Sequence, residues 1–121
     1  MADRKKTTSR ITLRVDLGSG DDSRIGPGKI ALLEAIRELN SISAAGRRFG
    51  MSYRTAWLMV DAMNRLFRSP VVTTATGGKA GGGATLTQLG EELIETYRDL
   101  ENTTVTAGSK SLQALERLVS K

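Results

Sequence analysis

The 121-residue chain contains neither cysteine nor histidine. Without cysteine there are no disulfides and no thiolate metal sites. Without histidine there is no imidazole base, and neither a Ser-His nor a Cys-His nucleophile can be assembled. No stretch approaches the roughly 18 apolar residues a membrane span requires. The start of the chain (Met1, Ala2, Asp3, Arg4, Lys5, Lys6) continues polar, with no apolar centre of a signal peptide behind its charges. The glycines at 77–83 lack both the P-loop offset to a Lys-Ser/Thr pair and the spaced pattern of a dinucleotide fold. No glycine-rich elbow surrounds a serine. The expectation is a cytoplasmic protein that is not an enzyme, with no membrane partner and no small-molecule substrate. A compact chain of this length buries about two thirds of its unfolded surface, enough for one core.

Charge is present but uneven. The chain has 18 Lys and Arg against 13 Asp and Glu, a net of +5. Residues 1–10 set Arg4, Lys5, Lys6 and Arg10 against Asp3 and read as a basic disordered tail. Residues 41–68 carry Arg47, Arg48, Arg54, Arg65 and Arg68 against Asp61, whereas residues 91–101 carry Glu91, Glu92, Glu95, Asp99 and Glu101 against Arg98. A basic middle followed by an acidic helix implies one face for a polyanion and another for a different role.

The apolar pattern predicts a mainly α fold with a small β hairpin. Strict alternation at Ile11, Leu13, Val15 and Leu17 predicts an N-terminal strand. Pro27 suits a helix start, and Ile30, Leu33, Ile36 and Leu39 give a helical stripe ending at Asn40. Ser43 is placed as the N-cap of a short helix over 44–49 that Gly50 closes with positive φ. Ser52 caps a helix over 53–67, stopped before Pro70. Residues 71–75 and 84–87 read as strands joined by a mobile glycine-rich loop. Thr87 caps a helix bearing Leu89, Leu93, Tyr97 and Leu100; residues 102–109 read as a break before a short C-terminal helix.

Residues 43–60 have helix-turn-helix spacing. Ala45, Phe49, Met51, Ala56 and Val60 are the expected packing positions, with Gly46 small at the closest crossing. Ser52, Tyr53, Arg54 and Thr55 then open the second helix outward, on the turn that such motifs insert in a major groove. Arg54 can bind guanine bidentately, the two hydroxyls can donate to phosphate or base edges, and Tyr53 can reach phosphate or sugar. Arg47 and Arg48 are expected beside the backbone as positioning charges. The element order that follows is that of a winged helix-turn-helix, with Lys79 at the tip of a glycine-rich wing over 76–83 that suits backbone or minor-groove contact. The partner read from this is double-stranded DNA.

Residues 28–33, 41–45, the run Met51, Ser52, Tyr53, Arg54, Thr55, Ala56, Trp57, and the pair Met63 and Asn64 resemble the N-terminal DNA-binding domain of molybdate-responsive ModE-type regulators. So do the run Ala75, Thr76, Gly77, Gly78, Lys79, Ala80, Gly81, Gly82, Gly83, Ala84 and the residues 86–90. The similarity runs from about residue 11 to residue 101, and a more distant one is to LysR-type winged domains. The resemblance implies a homodimeric repressor or activator of molybdate-transport or molybdenum-enzyme genes. It places Ser52, Tyr53, Arg54 and Trp57 on the recognition helix and Lys79 on the wing, with dimerisation through 27–39 and 88–101. Full-length members continue into oxyanion-binding modules with a Ser-Ala-Arg-Asn-type segment, and none follows Glu101 here. No cofactor is therefore expected in this chain, molybdate being implied by resemblance alone. The alternative reading is an oxyanion sensor whose ligand alters DNA binding. The expected organisation is a tail over 1–10, a winged helix-turn-helix over 11–101, and a break with a short helix over 102–121.

Overall fold

The computed structural model describes residues 9–75 and 83–119. At its centre lies helix α1 (Pro27–Leu39), opened by Pro27, whose missing N–H would have no helical partner at that position. Ile30, Leu32, Leu33 and Ile36 are each at 0% exposure. The helix ends as expected at Asn40, which adopts left-handed backbone at φ 53° and whose N–H donates to the Ile36 carbonyl at 2.8 Å.

Helix α2 (Ile42–Arg48) starts earlier than the sequence suggested. Its cap is Ser41, whose Oγ accepts the Ala44 N–H at 3.0 Å, and not Ser43. The earlier start brings Ile42 into the helix and into the core at 5% exposure, an apolar gain that a start at Ser43 would forgo. Helix α3 (Tyr53–Leu66) is capped by Ser52 as expected.

Strands β3 (Val72–Ala75) and β4 (Gly83–Leu86) form an antiparallel hairpin, Val72 opposite Leu86 and Ala75 opposite Gly83. Val72, Ala84 and Leu86 face the core while Thr73 and Thr85 face out. The predicted loop residues 76–82, Lys79 among them, lie outside the described residues, as does most of the predicted tail (residues 1–8).

Two asparagines hold the hairpin in place. Asn64 Oδ1 accepts the N–H groups of Val71 at 2.8 Å and Val72 at 3.1 Å, and its Nδ2 donates to the Val72 carbonyl at 3.0 Å. On the other strand, the Ala84 N–H donates to the Asn40 carbonyl at 3.1 Å and Asn40 Nδ2 donates back to the Ala84 carbonyl at 3.3 Å.

Helix α4 (Gln88–Leu118) runs unbroken for 31 residues, so the expected break over 102–109 and the separate terminal helix merge into it. Threonine, glycine and serine lower helix propensity by no more than about 1 kcal/mol each, and no proline interrupts the run. Tertiary contact offsets the weakness. Ile11 packs where Gly108 has no side chain; within the helix, the Thr104 hydroxyl is satisfied by the carbonyls of Leu100 and Glu101 at 3.0 Å. Thr87 caps the helix through the Gly90 N–H as expected.

The N-terminal strand shrinks to two residues, β1 (Val15–Asp16), paired with β2 (Arg24–Ile25). The rest of the alternating segment lies beside α4. The Tyr97 hydroxyl donates to the Leu13 carbonyl at 2.7 Å, and its burial pushes the phenol above its ordinary pKa. Ile11, Leu13 and Val15 are half-buried by this docking, while Leu17 is exposed. The alternation therefore serves packing more than strand pairing.

Gly90 of α4 is the tightest point. A Cβ there would collide with the Val71 carbonyl and lie 2.6 Å from Leu86 Cδ1. Gly90→Ala would gain about 1 kcal/mol of helix propensity, but overpacking against backbone costs about 1–3 kcal/mol and here cannot be relieved by a side-chain move. Urea unfolding should show a net loss of stability for Gly90→Ala. Gly28→Ala, where nothing lies within 4 Å of the added carbon, should not lower the midpoint.

Candidate nucleic-acid interface

The two helices of the motif are set by one close crossing. A Cβ on Gly46 would sit 2.9 Å from Ala56 Cβ, so glycine there lets α2 and α3 approach to backbone contact. The turn between them follows from local chemistry. The Gly50 N–H donates to the Arg47 carbonyl at 3.1 Å, Gly50 takes φ 71°, and the Met51 N–H returns to the Gly46 carbonyl at 2.9 Å. Ala45, Ala56 and Val60 are buried and Met51 partly so, as expected of the packing positions. Phe49 is not; it caps α2 with 44% of its surface exposed, because the chain turns away from the core immediately after Arg48.

The outward face of α3 carries the predicted residues. Ser52, Tyr53, Arg54, Thr55 and Trp57 are all exposed. Ser52 Oγ accepts the Thr55 N–H at 3.1 Å and donates its own proton to Thr55 Oγ1 at 3.1 Å. The Thr55 hydroxyl proton is thereby directed outward, where it can donate. By helical phase, Arg54, Asp61 and Arg65 run along the middle of the exposed face, with Tyr53 and Trp57 on one edge and Leu58 on the other.

Ion pairing sorts the arginines of the basic segment. Arg48 is held by Glu38 at 2.7 Å, Arg65 by Asp61 at 3.0 Å, and Arg68 lies 3.9 Å from Glu92. The Arg48 hydrogen bond holds the Glu38 carboxyl below its ordinary pKa. Arg47 instead donates to Ser43 Oγ at 2.9 Å. Among the described residues, Arg47 and Arg54 have no carboxylate partner. Of the two positioning charges expected from the sequence, Arg47 is available and Arg48 is engaged.

The hairpin comes to the same side. A shallow cleft of about 150 Å³ is lined by Ser43 of α2, Tyr53 of α3, and Thr74, Ala75 and Gly83 at the open end of the hairpin. The start of α3 and the base of the predicted wing thus border one depression. Lys79, the predicted wing-tip cation, lies outside the described residues. Leu58, 44% exposed, is the member of this face that sequence reasoning missed. Its signal was there: it falls off the apolar spacing of Ala56, Val60, Met63 and Phe67.

The acidic helix behaves differently from a solvated surface. Arg98 makes a two-pronged contact with Glu34 of α1 at 2.8 and 3.0 Å and a third hydrogen bond to Glu101 at 2.8 Å, which together raise its pKa. Glu91 pairs with Arg37 of α1 at 2.8 Å. Much of the acidic cluster is therefore spent fastening α4 to α1 and to the end of α3. Among the described residues no His, Cys, Asp and Glu group could hold a metal ion, and no helix is long and apolar enough to cross a membrane.

These elements make the chain a winged helix-turn-helix domain with a long C-terminal helix. No protein-family model matches it. Over 79 residues it is 56% identical to the molybdenum-pterin-binding protein MopB of Rhodobacter capsulatus, covering 65% of this chain and 29% of that protein. Over 95 residues it is 37% identical to the molybdenum transport protein ModE of Azotobacter vinelandii, covering 78% and 35%. Over 71 residues it is 45% identical to the DNA-binding transcriptional dual regulator ModE of Escherichia coli, covering 59% and 27%. The chain is a homologue of the ModE transcriptional regulators and Mop proteins and matches the ModE-type N-terminal domain. It spans about a third of the length of these relatives.

The face depends on its cap. Removing the Ser52 hydroxyl should cost about 1 kcal/mol and loosen the turn that carries Tyr53, Arg54 and Thr55. Chemical denaturation of Ser52→Ala against Ser52→Asp, which keeps an acceptor, should show the loss in the first and most of it recovered in the second.

Proposed function

We propose that the chain is a sequence-specific DNA-binding transcriptional regulator of molybdate-transport or molybdenum-enzyme genes, acting in the cytoplasm as a homodimer on double-stranded DNA. The observation that carries the reading is the unpaired Arg54 on the exposed opening turn of α3, beside Tyr53, Thr55 and Trp57 and next to the base of the hairpin. The names of the relatives agree with it: ModE of E. coli is called a DNA-binding transcriptional dual regulator and ModE of A. vinelandii a molybdenum transport protein. In this reading α3 enters the major groove and Arg54 takes a base edge bidentately. Arg47, held by Ser43, and the Ser52–Thr55 hydroxyl pair face the phosphates. The glycine-rich segment 76–83, with Lys79, follows the backbone as a wing. No oxyanion or cofactor is assigned to the described residues, and no chemical step is required of them.

The dimer is assigned to α4. Beside its buried line of Gly90, Ile94 and Tyr97 runs a second apolar stripe of Leu89, Leu93, Leu100 and Leu118, displaced by about a quarter turn. Leu89 and Leu93 also pack against the core, whereas Leu100 is 42% and Leu118 78% exposed, with the small residues Ala107, Ser111 and Ala114 on the same line between them. Pairing two copies along this stripe gives the two-fold symmetry that a palindromic site requires.

Two measurements test this. Gel shifts with genomic fragments should show salt-sensitive binding, and Arg54→Ala should lose about 1–3 kcal/mol, roughly 5- to 150-fold, at physiological salt; unchanged affinity in the variant would refute the assigned face. Sedimentation equilibrium should give a dimer for the native chain and a folded monomer for the double variant Leu100→Glu, Leu118→Glu. A native monomer at tens of micromolar would remove α4 as the dimer element.

A further inference from the structure

We propose that α3 reads thymine through its 5-methyl group, with Trp57 and Leu58 as the contacting side chains. The inference rests on the DNA-binding reading above and specifies what that face recognises.

Three observations converge on it. First, Trp57 and Leu58 are large, apolar, and 42% and 44% exposed, and neither belongs to the core cluster, which α3 supplies through Ala56, Val60 and Met63 with Met59, Leu66 and Phe67 packed against it. The core does not include them, and the exposed part of such large apolar side chains marks a contact. Second, the polar groups around them are largely satisfied. Ser52 bonds Thr55, and Asp61 neutralises Arg65, which leaves the Arg54 guanidinium as the uncommitted charged donor on the first two turns. Beside Arg54 the outward donors are the neutral hydroxyls of Thr55 and Tyr53, and the rest of the face is apolar surface. Third, the charge without a carboxylate partner on this face is Arg54, with Arg47 bonded to Ser43 on the neighbouring helix α2, which suits a polyanion better than an apolar protein surface.

In a major groove the apolar feature a side chain can meet is the thymine methyl; every other base edge there presents donors or acceptors. Trp57 and Leu58 lie on opposite flanks of the line through Arg54 and Asp61. One helix thus presents an apolar contact on either side of the base that Arg54 binds. The face is complementary to a site in which methyl-bearing bases flank a guanine.

The test uses the full chain and duplexes it selects from a random library, remade with uracil in place of thymine. That exchange deletes the methyl and leaves base pairing, phosphates and hydrogen-bonding edges intact. Native protein should bind the uracil duplex more weakly by about fourfold for each contacted methyl, the worth of one buried carbon. Trp57→Ala and Leu58→Ala should bind thymine and uracil duplexes with a reduced ratio, each variant losing its own share. Arg54→Ala should weaken both duplexes alike and keep the ratio. Each side chain is more than half covered, so a native circular-dichroism spectrum is required of both variants, and binding is compared as the thymine-to-uracil ratio, which a modest loss of stability does not move. Equal native affinity for the two duplexes would overturn the methyl reading while leaving DNA binding standing. Variants that keep the native ratio would overturn the assignment to these two residues. If no duplex is retained even at low salt, the parent reading fails and this one with it.

Discussion

The backbone of Val71 joins α3, the hairpin and α4. Its N–H is taken by Asn64 Oδ1 near the end of α3, and its carbonyl receives the Thr87 N–H from the start of α4. Its side chain is at 0% exposure, and its carbonyl lies against Gly90 of α4, where a Cβ would collide with it. Thr87 adds a hydroxyl donated to the Pro70 carbonyl at 2.8 Å. A buried N–H or carbonyl left unpaired costs about 1–3 kcal/mol, so each partner is held to its place by the others. The consequence is geometric. Once α3 is fixed, the departure of the hairpin and the direction of α4 are fixed with it, and the open end of the hairpin and the start of α3 border the same cleft.

Electrostatics then distributes the net positive charge. Exposed ion pairs contribute only about 0–1 kcal/mol each, so the pairs of Arg37 with Glu91 and Arg48 with Glu38 do little for stability. What they do is remove cations from circulation. The partly buried contact of Arg98 with Glu34 and Glu101 is the better positioned of them and orients α4 against α1. Arg47 and Arg54 remain outside these pairings, and both lie on the α2–α3 side. The basic character of residues 41–68 is thus concentrated at the face where a phosphate backbone would lie.

Much of this was legible beforehand, for identifiable reasons. Pro27, Asn40, Ser52 and Thr87 act within one turn of themselves, through φ restriction, left-handed backbone or a hydroxyl cap, and these local effects survive folding. Gly46 was also readable, because a helix-turn-helix crossing needs a small residue at that offset. The failures came where distant contacts compete with local preference. Ser43 is as good a cap as Ser41, and only the burial of Ile42 chooses between them. Residues 102–109 look like a break by propensity, but Ile11, nearly a hundred residues away in sequence, packs there on Gly108. The alternation from Ile11 to Leu17 has the period of a strand yet serves docking against α4, with Tyr97 bonding Leu13. Phe49 was placed among the packing positions by its type, and the structure shows that the core leaves it out; Leu58, off the apolar spacing, could have been read as an outward residue and was not.

In the proposed function the exposed face of α3, with the base of the hairpin, meets nucleic acid, while α4 serves assembly. Amide chemical-shift mapping of the full chain on titration with a selected duplex separates the two surfaces. The largest changes are expected at residues 52–58 and at Thr74, Ala75 and Gly83, with residues 100–118 little altered. Changes concentrated along α4, with 52–58 unaffected, would overturn the assignment.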